Sequence, residues 1–261
     1  MNTYIRLALA ATLFLVSCSK DKDQPNETAT SDLSIEFDNI AGDMNLHLNT
    51  GTYYNASGES FTVTTLMYYI SNISLKRADG SVYTVPQEDS YFLIQEDVAE
   101  SRFAKVKVPE GDYTSLQFIV GVDSLRSTMD ISERKGVLDP AQNRGMYWEW
   151  NSGYIFFKME GTSPAAPGDN KFRYHIGFFG GYSSPTLNNI RTVNIDLTQG
   201  GIARVRSGRT SNIHLMVDVS KVFSGVHSFR IEDQPTAMFN TFTATVADNL
   251  PSMFRHDHTE N

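Results

Sequence analysis

The sequence predicts an all-β protein: an antiparallel β-sandwich of the Greek-key type with short helical insertions. Three observations support this fold class. Apolar and polar residues alternate with a period of two from Asp32 onward, turn sequences separate the alternating runs, and helical periodicity is weak. Such runs are typical of half-buried strands packed in two layers.

The predicted strands follow one another along the chain, each marked by large side chains at alternate positions. Their core-facing residues are Leu33, Ile35 and Phe37; Leu116, Phe118 and Val120; Ile155, Phe157 and Met159; Phe172, Tyr174 and Ile176; Val193, Ile195 and Leu197; and Ile213, Leu215, Val217 and Val219. Turns are predicted at 78–81, 109–112, 164–170, 180–189 and 200–201. The Asp79-Gly80 dipeptide between two apolar runs predicts a β-hairpin.

Short helices are expected near 65–70, 124–131, 220–223 and 236–239. The sequence contains no dinucleotide-binding or phosphate-binding glycine motif and no zinc-protease motif. Neither an internal repeat nor a dividing linker is visible, so a single domain is predicted over residues 32–261.

The first residues carry an export signal. Arg6 is followed by an apolar stretch from Leu7 to Val16, about ten residues, which suits a signal peptide and is too short to span a bilayer. Cys18 directly follows a small residue and is the only cysteine in the chain, which predicts a lipoprotein signal peptide over 1–17 and lipidation at Cys18. An ordinary signal peptide with an incidental cysteine is the alternative.

Residues 18–31 are polar and charged, which predicts a flexible lipidated tether. The charges close to the lipid resemble signals that send some lipoproteins to the outer face of the outer membrane, although a generic hydrophilic spacer would look the same. The expected location is the cell envelope, as an outer-membrane lipoprotein that faces the periplasm or the cell surface. Membrane contact is therefore expected through the lipid anchor.

Composition excludes several classes of protein. The mature chain would keep no other thiol, so it has no disulfide and no cysteine nucleophile or ligand. The formal net charge is −8 and no basic run is present, which argues against nucleic-acid binding. No Gly-x-Ser-x-Gly nucleophile motif appears, and carboxylate pairs alone do not indicate a glycosidase, so we expect no enzymatic activity.

The two tryptophans, Trp148 and Trp150, are separated by one residue. In an extended segment both indoles point to one face and Glu149 to the other. Two interpretations stay open: an aromatic plug for the β-core, or an indole with a chemical role.

Histidines supply the candidate metal ligands. His175, His47 and His214 are each flanked by apolar residues, which predicts that they lie on the polar faces of strands. Each alone is more often a surface or hydrogen-bonded histidine than a ligand, and the three would converge only if their strands were neighbours. Near the C-terminus, His256 and His258 form a His-x-His pair that could chelate zinc or copper from one side of an extended segment, or could be a polar end that binds metal loosely.

Six ordered blocks of the sequence resemble the MbnP-like domain family and together extend over nearly all of the mature chain. They are residues 33–39, 61–73, 120–124, 147–161, 174–177 and 253–258. The resemblance implies an exported β-sandwich protein associated with copper. In founding members of the family, a partner dihaem peroxidase of the MbnH type oxidises a tryptophan to kynurenine, and imidazoles then form a copper site with the modified indole.

The family's features map onto this chain only in part. The resemblance implies that Trp148 or Trp150 is the residue oxidised and that His175 is a copper ligand. It offers His47 as a second ligand on a weaker local match, with His256 and His258 as a secondary site or as residues that close over the first. This chain lacks the cysteines of the founding members and has a predicted lipoprotein signal, so the alternative that both tryptophans serve the structure alone stays open.

Two functions are therefore carried forward. One is a copper-binding, non-enzymatic lipoprotein with a dihaem cytochrome c peroxidase-like partner. The other is a metal-free envelope binding module that presents aromatic residues to a glycan or a protein. Tyr53, Tyr54 and Tyr182 lie in loop-like sequence and are the aromatic candidates for that role.

Overall fold

The computed structural model describes residues 29–148 and 151–261. The predicted signal peptide over 1–17, Cys18, most of the predicted tether, and Trp150 lie outside the described residues. The first strand begins at Thr30, shortly before the predicted domain start at Asp32. None of the described helices is long and apolar enough to cross a membrane.

Strands dominate the described residues. In chain order they are β1 (Thr30–Ala41), β2 (Met44–Asn45), β3 (Tyr53–Tyr54), β4 (Ser60–Arg77), β5 (Val82–Thr84), β6 (Tyr91–Gln95), β7 (Phe103–Pro109), β8 (Gly111–Val120), β9 (Tyr147–Trp148), β10 (Gly153–Thr162), β11 (Lys171–Gly177), β12 (Arg191–Asp196), β13 (Ala203–Val205), β14 (Ser211–Asp218), β15 (Thr236–Ala237) and β16 (Phe254–Glu260). The α-helices are α1 (Ser124–Thr128) and α2 (Phe242–Asn249). Short 3₁₀ turns cover Gln87–Asp89, Ala99–Arg102, Ile131–Glu133, Gly136–Leu138, Val219–Val222 and Leu250–Met253.

The strands form two sheets, and the predicted all-β sandwich is confirmed. In the smaller sheet, β16, β14 and β1 lie side by side, and β7 and β2 complete the other side of β1. The larger sheet follows the order β12, β8, β4, β10, β11, β15, with shorter strands added along β4, β8 and β10. Asp79-Gly80 closes the predicted hairpin, since Ser74 of β4 pairs with Thr84 of β5.

Two strand pairs depart from the antiparallel pairing that the sequence predicts. β1 runs parallel to β14, from Leu33 opposite Ser211 to Ile40 opposite Asp218, and β11 runs parallel to β15. Parallel neighbours require a long crossover connection. Between β1 and β14 the chain builds most of the larger sheet, so this connection passes through the other layer of the sandwich.

The main core lies between the sheets and uses the predicted alternating residues. The side chains of the six predicted runs are all at most 5 % exposed, and all but one lie in this core. The exception is Ile155, whose predicted place in the main core is wrong: a β-bulge separates it from Phe157, and it lies in the apolar cluster on the other face of the larger sheet. Aromatic rings pack edge to face at its centre: Phe37 and Phe118 have ring centroids 5.8 Å apart, and Phe254 lies 5.2 Å from Phe118. Burial of this apolar surface is the main stabilising contribution in a chain that the sequence leaves without disulfides.

A second apolar cluster covers the outer face of the larger sheet. Met67 and Tyr69 of β4 and Phe156 of β10 lie there, beneath the segment that contains α1 and β9. This cluster explains why the helix predicted at 65–70 is wrong: β4 is apolar on both faces, so its sequence resembles a short buried helix.

The remaining helix predictions had mixed outcomes. The helix at 124–131 is confirmed only as far as Thr128, where α1 ends; at its start the Asp123 side chain accepts a hydrogen bond from the Arg126 backbone N–H. The helix at 220–223 corresponds to the 3₁₀ turn Val219–Val222. The helix at 236–239 is wrong, because Thr236–Ala237 pairs with β11 and the helix begins later, at Phe242.

Candidate metal centre

Trp148 lies on the outer side of the larger sheet and not in the main core. β9 pairs with the start of β10, with Trp148 opposite Gly153, and this hairpin carries the half-buried indole across to β11. There the ring packs between Phe178 and Phe239, at centroid distances of 5.6 and 4.8 Å. The indole therefore lies near the surface, beneath the half-exposed Phe239.

Gly177 allows the indole to approach β11 so closely. A β-carbon at this position would lie 2.6 Å from Cζ3 of Trp148 and 2.6 Å from the carbonyl oxygen of Tyr154, well inside van der Waals contact. The next residue, Phe178, has a φ of 75°, which is unusual for an aromatic residue. The backbone at Gly177 and Phe178 thus accommodates the indole ring.

His175 lies on the same outer face. Tyr174 and Ile176 point into the main core, so His175 and Gly177 both point outward, and Trp148 covers the second of these positions. Imidazole and indole are therefore neighbours on one surface. The His175 side chain is 12 % exposed, so the imidazole is largely but not completely shielded from solvent.

The His175 imidazole is held by Glu160. Its Nε2 lies 2.6 Å from Oε1 of Glu160 on the adjacent strand β10, and Nζ of Lys158 lies 3.9 Å from the same carboxylate oxygen. Burial lowers the pKa of His175, and the hydrogen bond to Glu160 opposes this shift only in part. A neutral imidazole is the form that binds a metal ion.

The three histidines predicted on strands do not converge. His214 lies on the outer face of β14 in the smaller sheet and His175 on the outer face of β11 in the larger one, so the thickness of the sandwich separates them. The prediction that His47 lies on a strand is wrong: it is exposed on the loop between β2 and β3. Burial raises the pKa of Glu96, and His47 is among the groups that oppose that rise, which places His47 near Glu96.

The two histidines of the His-x-His pair near the C-terminus also have different contacts. A β-bulge between β14 and β16 places His258 opposite His214 and His256 opposite Leu215. His256 Nε2 lies 2.9 Å from Oγ1 of Thr259, and its ring contacts the turn at Gly200. His258 instead contacts Asp257 and His214, so the two imidazoles do not form a joint chelate.

Two acidic residues contact the candidate histidines, and neither contact is indicated by the sequence. Glu160 follows Lys158 in an alternating strand, but its contact with His175 depends on the register between β10 and β11. Asp257 reads as a spacer between two histidines, and the bulge that turns it toward His214 has no local signature. Among residues 29–148 and 151–261, the group of His214, Asp257 and His258 is where three such ligand atoms lie within 4.8 Å of one another.

Comparisons with known proteins agree with this architecture. A family model described as MbnP matches residues 30–239. Among solved structures, the chain is similar to MbnP from Methylosinus trichosporium, with a TM-score of 0.58 and 17 % sequence identity over 82 % of each chain. No significant match was found among curated proteins. Neither finding indicates an enzyme family.

Proposed function

Because the chain belongs to the MbnP family, we propose that it is a non-enzymatic copper-binding lipoprotein of the cell envelope. The observation that carries this proposal is the position of Trp148 over Gly177, beside the shielded imidazole of His175 on the same outer face. Trp148 lies outside the main core and packs against the second apolar cluster, where its ring is half-buried and close to the surface.

The donor atoms at His175 suit copper only when the indole is modified. His175 offers an imidazole nitrogen and Glu160 a carboxylate oxygen, and imidazole is a favoured ligand of copper. An intact indole adds no ligand. Kynurenine carries a ketone and an aryl amine, and either group would supply the donor that His175 and Glu160 lack. Copper binding at this place is therefore proposed to depend on prior oxidation of the tryptophan.

Trp148 is the preferred residue for this oxidation, with Trp150 of the same Trp-x-Trp pair as the alternative. Trp148 is half-buried and contacts Phe239, whose side chain is 51 % exposed. An electron-accepting protein that docks on this face would come close to the ring without unfolding the domain. A dihaem cytochrome c peroxidase-like protein is the proposed partner.

The envelope location rests on the sequence of the first residues. The proposal is a signal peptide over 1–17, lipidation at Cys18, and an anchor in the outer membrane that leaves the domain in the periplasm or on the cell surface. His47 does not enter the proposed copper site, because it is exposed on a loop near Glu96.

The proposal is tested by copper content and peptide mass in protein purified from its native host, where a partner peroxidase is present. His175→Ala should retain about one tight copper per chain fewer than wild type, because the imidazole is a ligand. The matched control is His227→Ala, which removes an exposed imidazole that pairs with Asp248 alone. Copper that survives His175→Ala at full stoichiometry would remove this ligand assignment.

The oxidation is tested on the same sample. Trypsin cleavage after Arg144 and Lys158 releases a peptide that contains both tryptophans. Conversion to kynurenine is a net loss of one carbon and a gain of one oxygen, and fragment ions distinguish Trp148 from Trp150. Unmodified peptide in copper-loaded protein from the native host would contradict the proposed order of events.

The second candidate is a metal-free module that binds a glycan or a protein. Tyr182 and Tyr54 are 70 % and 66 % exposed, as this function requires. Tyr53 is buried and is withdrawn as a contact residue, because its hydroxyl donates to the Asn45 carbonyl and accepts from the His47 backbone N–H. Absence of both copper and kynurenine in native protein would favour this candidate.

A further inference from the structure

The β-bulge in β16 gathers three ligand groups on the outer face of the smaller sheet. In a regular strand Asp257 and His258 would point to opposite faces. The bulge makes Asp257 an extra residue between His258, which lies opposite His214, and His256, which lies opposite Leu215. Oδ2 of Asp257 lies 3.3 Å from Nδ1 of His214 and 2.8 Å from Nδ1 of His258, and the two imidazole centroids are 4.9 Å apart.

These separations are similar to those between the ligand atoms around a small metal ion. Ligand atoms around a tetrahedral ion with bonds of about 2.0–2.1 Å lie about 3.3 Å apart. The ligand atoms of His214, Asp257 and His258 all lie within 4.8 Å of one another. The backbones of β14 and β16 are already paired, so small side-chain rotations would bring the three atoms onto one ion.

Each imidazole also has a carboxylate near its other nitrogen. Nε2 of His214 lies 3.6 Å from Oδ2 of Asp38, and Nε2 of His258 lies 3.7 Å from Oε1 of Glu260. Histidines that bind metals commonly direct their second N–H to a carboxylate, which fixes the tautomer and orients the ring. At 3.6 and 3.7 Å, Asp38 and Glu260 lie just beyond hydrogen-bond distance, and small side-chain rotations would bring their carboxylates within reach of these N–H groups.

The local charge favours a cation. The carboxylates of Asp38, Asp257 and Glu260 surround the two imidazoles, and the nearby guanidinium of Arg255, 3.7 Å from Oδ1 of Asp257, offsets only one of them. A divalent ion would neutralise the remaining negative charge.

We propose that His214, Asp257 and His258 bind one divalent ion of the Zn²⁺ or Cu²⁺ class, with Asp38 and Glu260 orienting the imidazoles. Three protein ligands leave a position open to water, as in other sites of this ligand number. His175 and Trp148 take no part, because they lie on the outer face of the other sheet. This proposed site is therefore independent of the proposed copper site, and a negative result at one would not contradict the other.

The test is calorimetric titration of the full chain in detergent with Zn²⁺ alone, after removal of bound metal with a chelator. Wild type should bind about one equivalent, and His258→Ala and His214→Ala should each weaken binding at least about tenfold because each removes a ligand. Asp38→Asn should weaken it less while leaving all three ligands in place. Thermal unfolding of the metal-free variants checks that each remains folded.

Two controls separate this site from other outcomes. His227→Ala removes a comparably exposed imidazole that lies 3.1 Å from one carboxylate and should leave Zn²⁺ affinity unchanged. His175→Ala should also leave it unchanged, although it should abolish the copper of the other site. Equal losses in His227→Ala and His258→Ala, or no loss in His258→Ala, would overturn the proposal.

Discussion

At the scale of single residues, the outer surface of the larger sheet is shaped by a missing side chain. Gly177 follows His175 on the same face, and the absence of a β-carbon lets the Trp148 ring lie against β11. Alanine is among the smallest possible changes, yet its β-carbon would meet both a ring atom and a backbone oxygen, and the backbone oxygen cannot move aside. The position of the indole therefore depends on this glycine.

We expect Gly177→Ala to displace the Trp148 ring and to lower the free energy of unfolding by about 1–3 kcal/mol, the usual cost of overpacking. Tryptophan fluorescence should shift to longer wavelength as the ring becomes more exposed. Gly58→Ala is the control: φ is 77° at Gly58 and no atom lies within 4 Å of the new β-carbon, so only its own backbone is strained. An unchanged emission maximum in Gly177→Ala would contradict the close contact.

At the scale of the element, β16 combines a core residue with a polar surface. Phe254, its first residue, packs against Phe37, Tyr68 and Phe118, with ring centroids 5.2 to 6.3 Å away. Three residues later the bulge begins, and the strand turns His258 toward His214. Removing the end of the chain to test its histidines would therefore also disturb a paired strand, so single substitutions are the sharper test.

Phe254→Ala should reduce the free energy of unfolding by about 3–5 kcal/mol, because it leaves a cavity among packed rings. Chemical denaturation followed by circular dichroism measures this loss. Val226→Ala is the control: the side chain is 70 % exposed, so its removal should change stability by no more than about 0.5 kcal/mol. Equal stabilities of the two variants would show that β16 contributes little to the core.

Strands with one apolar and one polar face could be predicted from the sequence. Strands that are covered on both faces could not, because their apolar and polar residues do not alternate. Leu33, Ile35 and Phe37 are buried as expected, because a period of two directly encodes a half-buried strand. The sequence of β4 in part resembles a helix, because the second apolar cluster covers its outer face and makes both faces apolar.

The pairing between strands that are distant in the sequence could not be predicted either. This pairing determines which side chains meet at the candidate sites. The histidines were identified from the sequence, but their partners were not. Glu160 approaches His175 through the register of β10 with β11, and Asp257 approaches His214 through a bulge. Both depend on contacts between strands, which local patterns do not encode.

At the scale of the whole molecule, the two outer faces present separate groups of candidate ligands. The larger sheet presents His175 with Trp148, and the smaller sheet presents His214 with Asp257 and His258. The proposed anchor joins the chain to a membrane just before β1, in the middle of the smaller sheet.

Replacing the proposed lipidation residue tests this arrangement. Cys18→Ser should move the protein from the membrane fraction to the soluble fraction and abolish incorporation of labelled fatty acid, because stable anchoring requires the acyl chains. Ser19→Ala is the matched control and should remain in the membrane fraction. A Cys18→Ser protein that still sediments with membranes would contradict a lipid anchor at this position.

The central position of β1 has a mechanical consequence. If the chain is held at Cys18, any drag on the domain is transmitted as tension at Thr30, where β1 enters the sheet. β1 is bonded along Leu33 to Ile40 with β14 and along Thr30 to Glu36 with β7. Tension along the strand loads both hydrogen-bond ladders in shear, so many bonds must fail together, whereas a strand on the edge of the sheet has a single ladder to lose. An anchor at Cys18 would thus apply force to a strand that is hydrogen-bonded on both sides, and forced extraction would be governed by the unfolding rate of the domain.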